Sequence, residues 1–176
     1  ADSELMSQVL REEYDLTARP EDADLFLINT CAIRRKSEEK VKSLLGSLRP
    51  LKRARPQLIL GVGGCVAQQE GERLLAFAPH LNLVFGTKGI YRLPELVHRA
   101  ARGERVVDVA LERDLPDLPL RLWAPGTFQT MVTIMRGCDN YCSFCVVPYV
   151  RGRETSREPG AIVVEVAAFV AAGGLE

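Results

Sequence analysis

Histidine and cysteine are scarce in this chain: its 176 residues include two of the first, His80 and His98, and five of the second. An odd, low cysteine count fits poorly with a disulfide framework, which small secreted domains build from dense, even sets. Long apolar runs are also missing. None approaches the roughly 20 residues that span a bilayer, and the opening Ala1-Asp2-Ser3-Glu4 is acidic where a secretory leader is basic. Neither sign of charge is in excess, since lysine plus arginine equals aspartate plus glutamate at 23 each. No overall field therefore draws the chain to a polyanion. What is present, 47% hydrophobic and 26% charged residues, is the composition of a soluble folded chain. A cytoplasmic location is expected, where thiols stay reduced and open to metal.

The few cysteines are not scattered. Residues 137–145 read Gly-Cys-Asp-Asn-Tyr-Cys-Ser-Phe-Cys, so Cys138, Cys142 and Cys145 form a C-x3-C-x2-C array after an apolar, strand-like run. A cluster used only for electron transfer is normally closed by four thiolates. Three cysteines with no fourth nearby hold three corners of a four-iron cluster and leave one iron open to a small molecule, which points to catalysis. Two readings compete. A structural zinc site wants two cysteine knuckles or a cysteine pair with a histidine pair, and both histidines lie far upstream. Three unrelated buried cysteines are the other, although a polar, glycine-led loop is a poor place for core residues.

From residue 2 to about 110, helical and strand patterns alternate. Asp2 or Ser3 is placed to cap a helix through Leu5, Met6, Val9 and Leu10. Residues 24–29 read as a buried strand, 37–48 as a helix stopping near Pro50, 58–62 as a second strand and 67–77 as a second helix. A third strand over 83–85, a third helix over 93–101 and a fourth strand over 106–109 complete the series. Continuous apolar strands alternating with helices imply a parallel sheet covered on both faces. Functional groups gather at the strand-to-helix edge of such sheets, and two cysteines fall there: Cys31 after the first strand, Cys65 after the second. Singly, each is an ordinary core cysteine; their equivalent placement brings two thiolates within reach of one metal centre.

Gly61, Gly63 and Gly64 invite a phosphate-loop reading, but neither standard glycine spacing is met; close passage of the backbone beside a metal at Cys65 is the other use for Gly63 and Gly64. Basic patches occur at Arg34-Arg35-Lys36, at Lys52 and Arg53 with Arg55, and at Arg151, Arg153 and Arg157. The first two read as solvated helix faces, while the third directly follows the cysteine array. Residues 112–126 hold three prolines and follow neither period, so they read as an interdomain linker with Trp123 as its anchor. This divides the chain into 1–111, the linker, and 127–176. The last part comprises a strand over 128–135, the cysteine loop and a helix from about Pro159, a βα unit that cannot bury its faces alone.

Arg136-Gly-Cys-Asp-Asn-Tyr-Cys-Ser-Phe-Cys-Val-Val-Pro-Tyr149 with Arg151-Gly152-Arg153, together with Asn29-Thr-Cys-Ala-Ile-Arg34 and Gly64-Cys-Val-Ala-Gln-Gln-Glu-Gly-Glu72, resembles the radical S-adenosylmethionine (SAM) methylthiotransferase family. Ala32-Ile33-Arg34 looks like its isopentenyladenosine branch rather than the ribosomal-protein aspartate or threonylcarbamoyladenosine branches. The resemblance implies a flavodoxin-like N-terminal domain followed by the first βα unit of a radical SAM barrel. It implies two [4Fe-4S] clusters and SAM. One cluster, on Cys138, Cys142 and Cys145, would cleave SAM to a radical, with Phe144, Arg151 and Arg153 near the SAM. The other would carry or deliver sulfur. Cys31 and Cys65 supply only two of its three family ligands, because the family's opening strand and its cysteine precede the helix with which this chain begins. The chain alone is therefore expected to hold that cluster poorly and to be inactive. Implied partners are a tRNA anticodon stem-loop, a flavodoxin- or ferredoxin-type electron donor and a sulfur donor, with no membrane and a monomeric state. A non-enzyme reading also stands, a flavodoxin-like interaction domain with a structural metal loop.

Overall fold

A computed structural model describes residues 2–32, 36–111 and 127–176. The linker, Trp123 and the Ile33-Arg34-Arg35 stretch lie outside the described residues.

Four parallel strands, β1 (Leu25–Thr30), β2 (Ile59–Gly64), β3 (Leu83–Phe85) and β4 (Val106–Asp108), lie side by side in chain order. Their apolar residues alternate between two cores because successive side chains point to opposite faces. Against one face, α2 (Lys36–Ser47), α3 (Arg49–Ala54), α4 (Cys65–Glu70) and α5 (Glu72–Phe77) bring Val41, Leu45, Leu48 and Leu74 onto Leu60, Val62 and Val84. On the other, α1 (Asp2–Leu10) and α6 (Leu93–Ala101) bring Leu5, Met6, Leu10 and Leu96 onto Ile59, Leu83 and Phe85. This is the expected mixed α/β arrangement, a parallel sheet flanked by helices, consistent with a flavodoxin-like domain. No described helix is long and apolar enough to cross a membrane.

Several boundaries differ from the sequence expectation. Asp2 is already helical, so it does not cap α1 from outside. Pro50 does not end the helical region but sits in the first turn of α3, where its missing N–H costs nothing. The helix expected over 67–77 is two helices, broken at Gly71 with φ +47°, and the first begins at Cys65 itself. The first strand starts one residue later than expected, although the Asp24 carbonyl still accepts from the Ile59 N–H at 2.9 Å.

In the second unit, β5 (Met135–Arg136) pairs antiparallel with β6 (Thr155–Ser156), enclosing the cysteine loop and α7 (Val147–Arg151). The strand expected over 128–135 is thus a ladder only at its very end, since a strand persists only where a neighbour bonds it. At its start, the Glu176 N–H donates to the Phe128 carbonyl at 2.9 Å and the Thr130 N–H to the Glu176 carbonyl at 2.7 Å. This is the bonding pattern of parallel neighbours, formed after the chain returns through α8 (Pro159–Ala171). That helix begins at the expected proline and is apolar on nearly every side, with Val163, Val164, Val166 and Val170 exposed.

Candidate metal centre

The register of the first two strands sets the sheet edge. Thr30 pairs with Gly64, so Cys31 and Cys65 are the residues just past the ends of two adjacent strands. Cys31 is exposed and Cys65 is buried, both as free thiols. Thr30 holds this corner together: its hydroxyl donates to the Gly63 carbonyl at 2.6 Å and accepts from the Val66 and Ala67 N–H groups at 3.1 and 3.4 Å. It thereby satisfies the first turn of α4, which otherwise has no side-chain cap. Gly64 adopts φ +92°, and a Cβ there would run into the Thr30 carbonyl. Gly61 and Gly63 are not a phosphate cradle: a Cβ on them would meet Leu27 and the Phe85 ring, so their missing side chains make room for packing.

The three-cysteine array lies on a loop shaped by its neighbours. The Cys138 N–H donates to the Gly152 carbonyl at 3.2 Å, and the Cys145 N–H closes a turn onto the Cys142 carbonyl at 2.9 Å. Gly137 has φ +74°, with the Arg153 carbonyl where a Cβ would be. Tyr141 is the one non-glycine with positive φ among the described residues, at +44°, and its ring meets Tyr149 edge-on at 6.0 Å. Asp139 accepts from Arg153 at 3.1 Å and from the Glu154 N–H at 3.1 Å. Those two donors, the guanidinium first, hold its carboxyl below the usual carboxylate range. Arg153 therefore braces the loop. Phe144 is 93% exposed, free to cover a ligand.

The loop also docks on the sheet edge. Arg151, at the end of α7, donates to Asp2 of α1 at 2.8 Å. Burial works against its charge, but Asp2 and Cys65 outweigh it and hold the guanidinium above its ordinary range. The Thr87 hydroxyl donates to the Val150 carbonyl at 2.7 Å, and Arg136 stacks over Tyr91 at 5.4 Å. Sequence reading missed Asp2, Thr87 and Tyr91, and no local signal marks them; Thr30 lay inside a quoted motif without an assigned role.

Of the other basic residues singled out, Lys52, Arg55 and Arg157 are engaged within the fold, while Arg34 and Arg35 lie outside the described residues. Lys52 donates to the Pro56 carbonyl at 2.9 Å and to Asn82 at 3.1 Å, Arg55 to the Ala23 carbonyl at 2.7 Å, and Arg157 pairs with buried Glu165 at 2.6 Å. Both histidines are engaged away from the cysteines, His80 with the Leu45 carbonyl at 2.7 Å and His98 with Glu13. A cavity of about 590 Å³ also lies elsewhere: it runs between α1 and the outer edge of β1, and no cysteine lines it.

Among the described residues, no three histidine, cysteine or acidic side chains converge on a point where one metal ion would sit. A four-iron cluster does not need that, because each thiolate takes its own iron. Three free thiols on one loop and two at neighbouring strand ends form a soft, all-sulfur donor set that fits iron–sulfur ligation.

The model of "Uncharacterized protein family UPF0004" matches residues 1–86. A tRNA-2-methylthio-N(6)-dimethylallyladenosine synthase from Geobacter metallireducens is 51% identical over 98% of this chain and 40% of the relative. Synthases of the same name from Geotalea uraniireducens and Bordetella petrii are 49% and 48% identical, each over 94% of this chain and over 38% and 35% of their own lengths. The chain spans about 40% of the length of the first of these curated relatives.

Proposed function

We propose that the chain belongs to the methylthiotransferase family and that its protein is a radical SAM enzyme that methylthiolates isopentenyladenosine in tRNA, a reading supported by the UPF0004 match over residues 1–86 and by the similar synthases. The observation that carries this reading is the pairing of a three-thiol loop with two thiols at one sheet edge, in a chain about half identical to named synthases of that reaction. Ala32-Ile33-Arg34 favours the isopentenyladenosine branch.

Cys138, Cys142 and Cys145 would hold one four-iron cluster, and Cys31 and Cys65 two positions of a second. When bound, the first supplies the electron that breaks the SAM sulfonium. The chain's own part is positional. Gly137 and the Asp139–Arg153 pair set the loop that presents the three thiols, and exposed Phe144 is available to stack on an adenine. Arg151 pairs with Asp2 and Arg153 with Asp139, but Arg151 is 33% exposed against 84% for Arg153, so of the two arginines first considered for SAM it is the less free. The exposed valines of α8 and the parallel bonds between residues 128–130 and Glu176 support reading 127–176 as the opening of a larger barrel. An anticodon stem-loop, an electron donor and a sulfur donor are the partners this chemistry requires.

Mass spectrometry of a strain lacking the gene tests the reading. Loss of the methylthio group from isopentenyladenosine in tRNA, with ribosomal protein unchanged, is the expected result. Intact tRNA and a ribosomal aspartate lacking its methylthio group would instead assign the ribosomal branch.

A further inference from the structure

We propose that the small cleft between the two units is an oxyanion site that takes one phosphodiester of an RNA substrate. That the polyanion is RNA rests on the tRNA reading above. Thr87 and Lys88, just past the end of β3, line the cleft together with Arg136, Arg151, Arg153 and Thr155 from around the cysteine loop. Four cations thus converge there, and no described acidic side chain is among the lining. Two of the four are balanced from outside it, Arg151 by Asp2 at 2.8 Å and Arg153 by Asp139 at 3.1 Å. Arg136 instead lies over the Tyr91 ring at 5.4 Å, and its Nε is buried with no hydrogen-bond partner among the described residues. A buried charged donor without an acceptor is costly, and a ligand oxygen in the cleft supplies that acceptor. The enclosed space, about 10 Å³, admits one oxygen-sized atom. An anion would therefore seat a single oxygen inside and keep the rest of itself at the mouth, as a phosphate within a nucleotide chain can. The amino-acid end of SAM fits poorly, because its ammonium and sulfonium would meet four cations and no carboxylate. A phosphodiester brings only negative charge, and guanidinium forks suit its oxygens. Such a contact fixes position and reads no base; it would set an RNA strand across the face where the cysteine loop meets the sheet.

Binding of a short fluorescein-labelled RNA hairpin to the metal-free chain, read by anisotropy over a range of salt, tests the site. Arg136→Gln and Lys88→Gln are each expected to weaken binding about tenfold and to flatten the slope of log Kd on log salt by roughly 0.7–0.9. Lys40→Gln, at an exposed position of α2, should leave both as in the wild type. A second measurement needs no variant to fold: the Arg136 Nε–H resonance of the isotope-labelled wild type should shift with the hairpin and with inorganic phosphate, and stay in place with SAM. Unchanged RNA affinity in both glutamine variants, or an Arg136 resonance that answers to SAM and not to phosphate, would overturn the proposal. Either result leaves the tRNA reading to the deletion strain, so the two can fail separately.

Discussion

At the scale of single residues, the cysteine loop depends on positions that carry no chemistry. Gly137 sits at φ +74° against the Arg153 carbonyl. Gly137→Ala forces both a disfavoured backbone conformation and an overlap, at a cost of about 2 kcal/mol, or roughly 4–8 °C in Tm for a chain of this size; differential scanning calorimetry reads it. Asp139 makes the loop sensitive to acid. Its carboxyl is held below the ordinary 3.8 by Arg153 and then by the Glu154 N–H. Because the folded value is lowered, the brace is in force above the ordinary value and is lost as pH falls through the folded one. Chemical shifts of the Arg153 side chain should therefore stay constant down to about pH 4 and move below it, and Asp139→Asn should abolish that step. The three array cysteines were legible in sequence because their spacing is local. Thr87 was not, since its partner Val150 lies 63 residues away.

At the scale of elements, apolar periodicity located the four strands of the sheet and most of the helices around it, though not α3, and it placed Cys31 and Cys65 at one edge. The finer divisions escaped it because they turn on backbone conformation. Gly71 splits one expected helix into two by adopting a positive φ, and Pro50 opens a helix where it was read as a stop. The strand expected over 128–135 had the right composition, but composition does not supply hydrogen-bonding neighbours. The start of α4 depends on Thr30, whose hydroxyl serves three backbone groups. Thr30→Val keeps the shape and leaves buried polar groups unpaired, a loss of about 1–3 kcal/mol; Thr30→Ser should recover most of it. Urea denaturation of the two variants gives the comparison. Faster exchange at Val66 and Ala67 in the valine variant would locate the damage beside Cys65.

Across the whole molecule, residues 2–111 and 127–176 meet through Arg151 with Asp2 and Thr87 with Val150. The first has a closed two-faced core; the second keeps apolar helix surface in water and relies on a buried ion pair, Arg157 with Glu165, whose side chains are 16% and 4% exposed. Arg157→Met would leave the carboxylate buried without its cation and should destabilise the second unit by roughly 3–5 kcal/mol, seen as an earlier unfolding step in exchange of α8 while β1 to β4 hold. The account stands or falls on metal at the three-cysteine loop. The direct measurement is iron and zinc content, with electron paramagnetic resonance after reduction, of the anaerobically reconstituted chain and of a variant carrying Cys138→Ala, Cys142→Ala and Cys145→Ala. On the proposed assignment of the first cluster to this loop, about four irons per wild-type chain should fall to nearly none in the variant. Undiminished iron in the triple variant, or zinc in place of iron in the wild type, would contradict it.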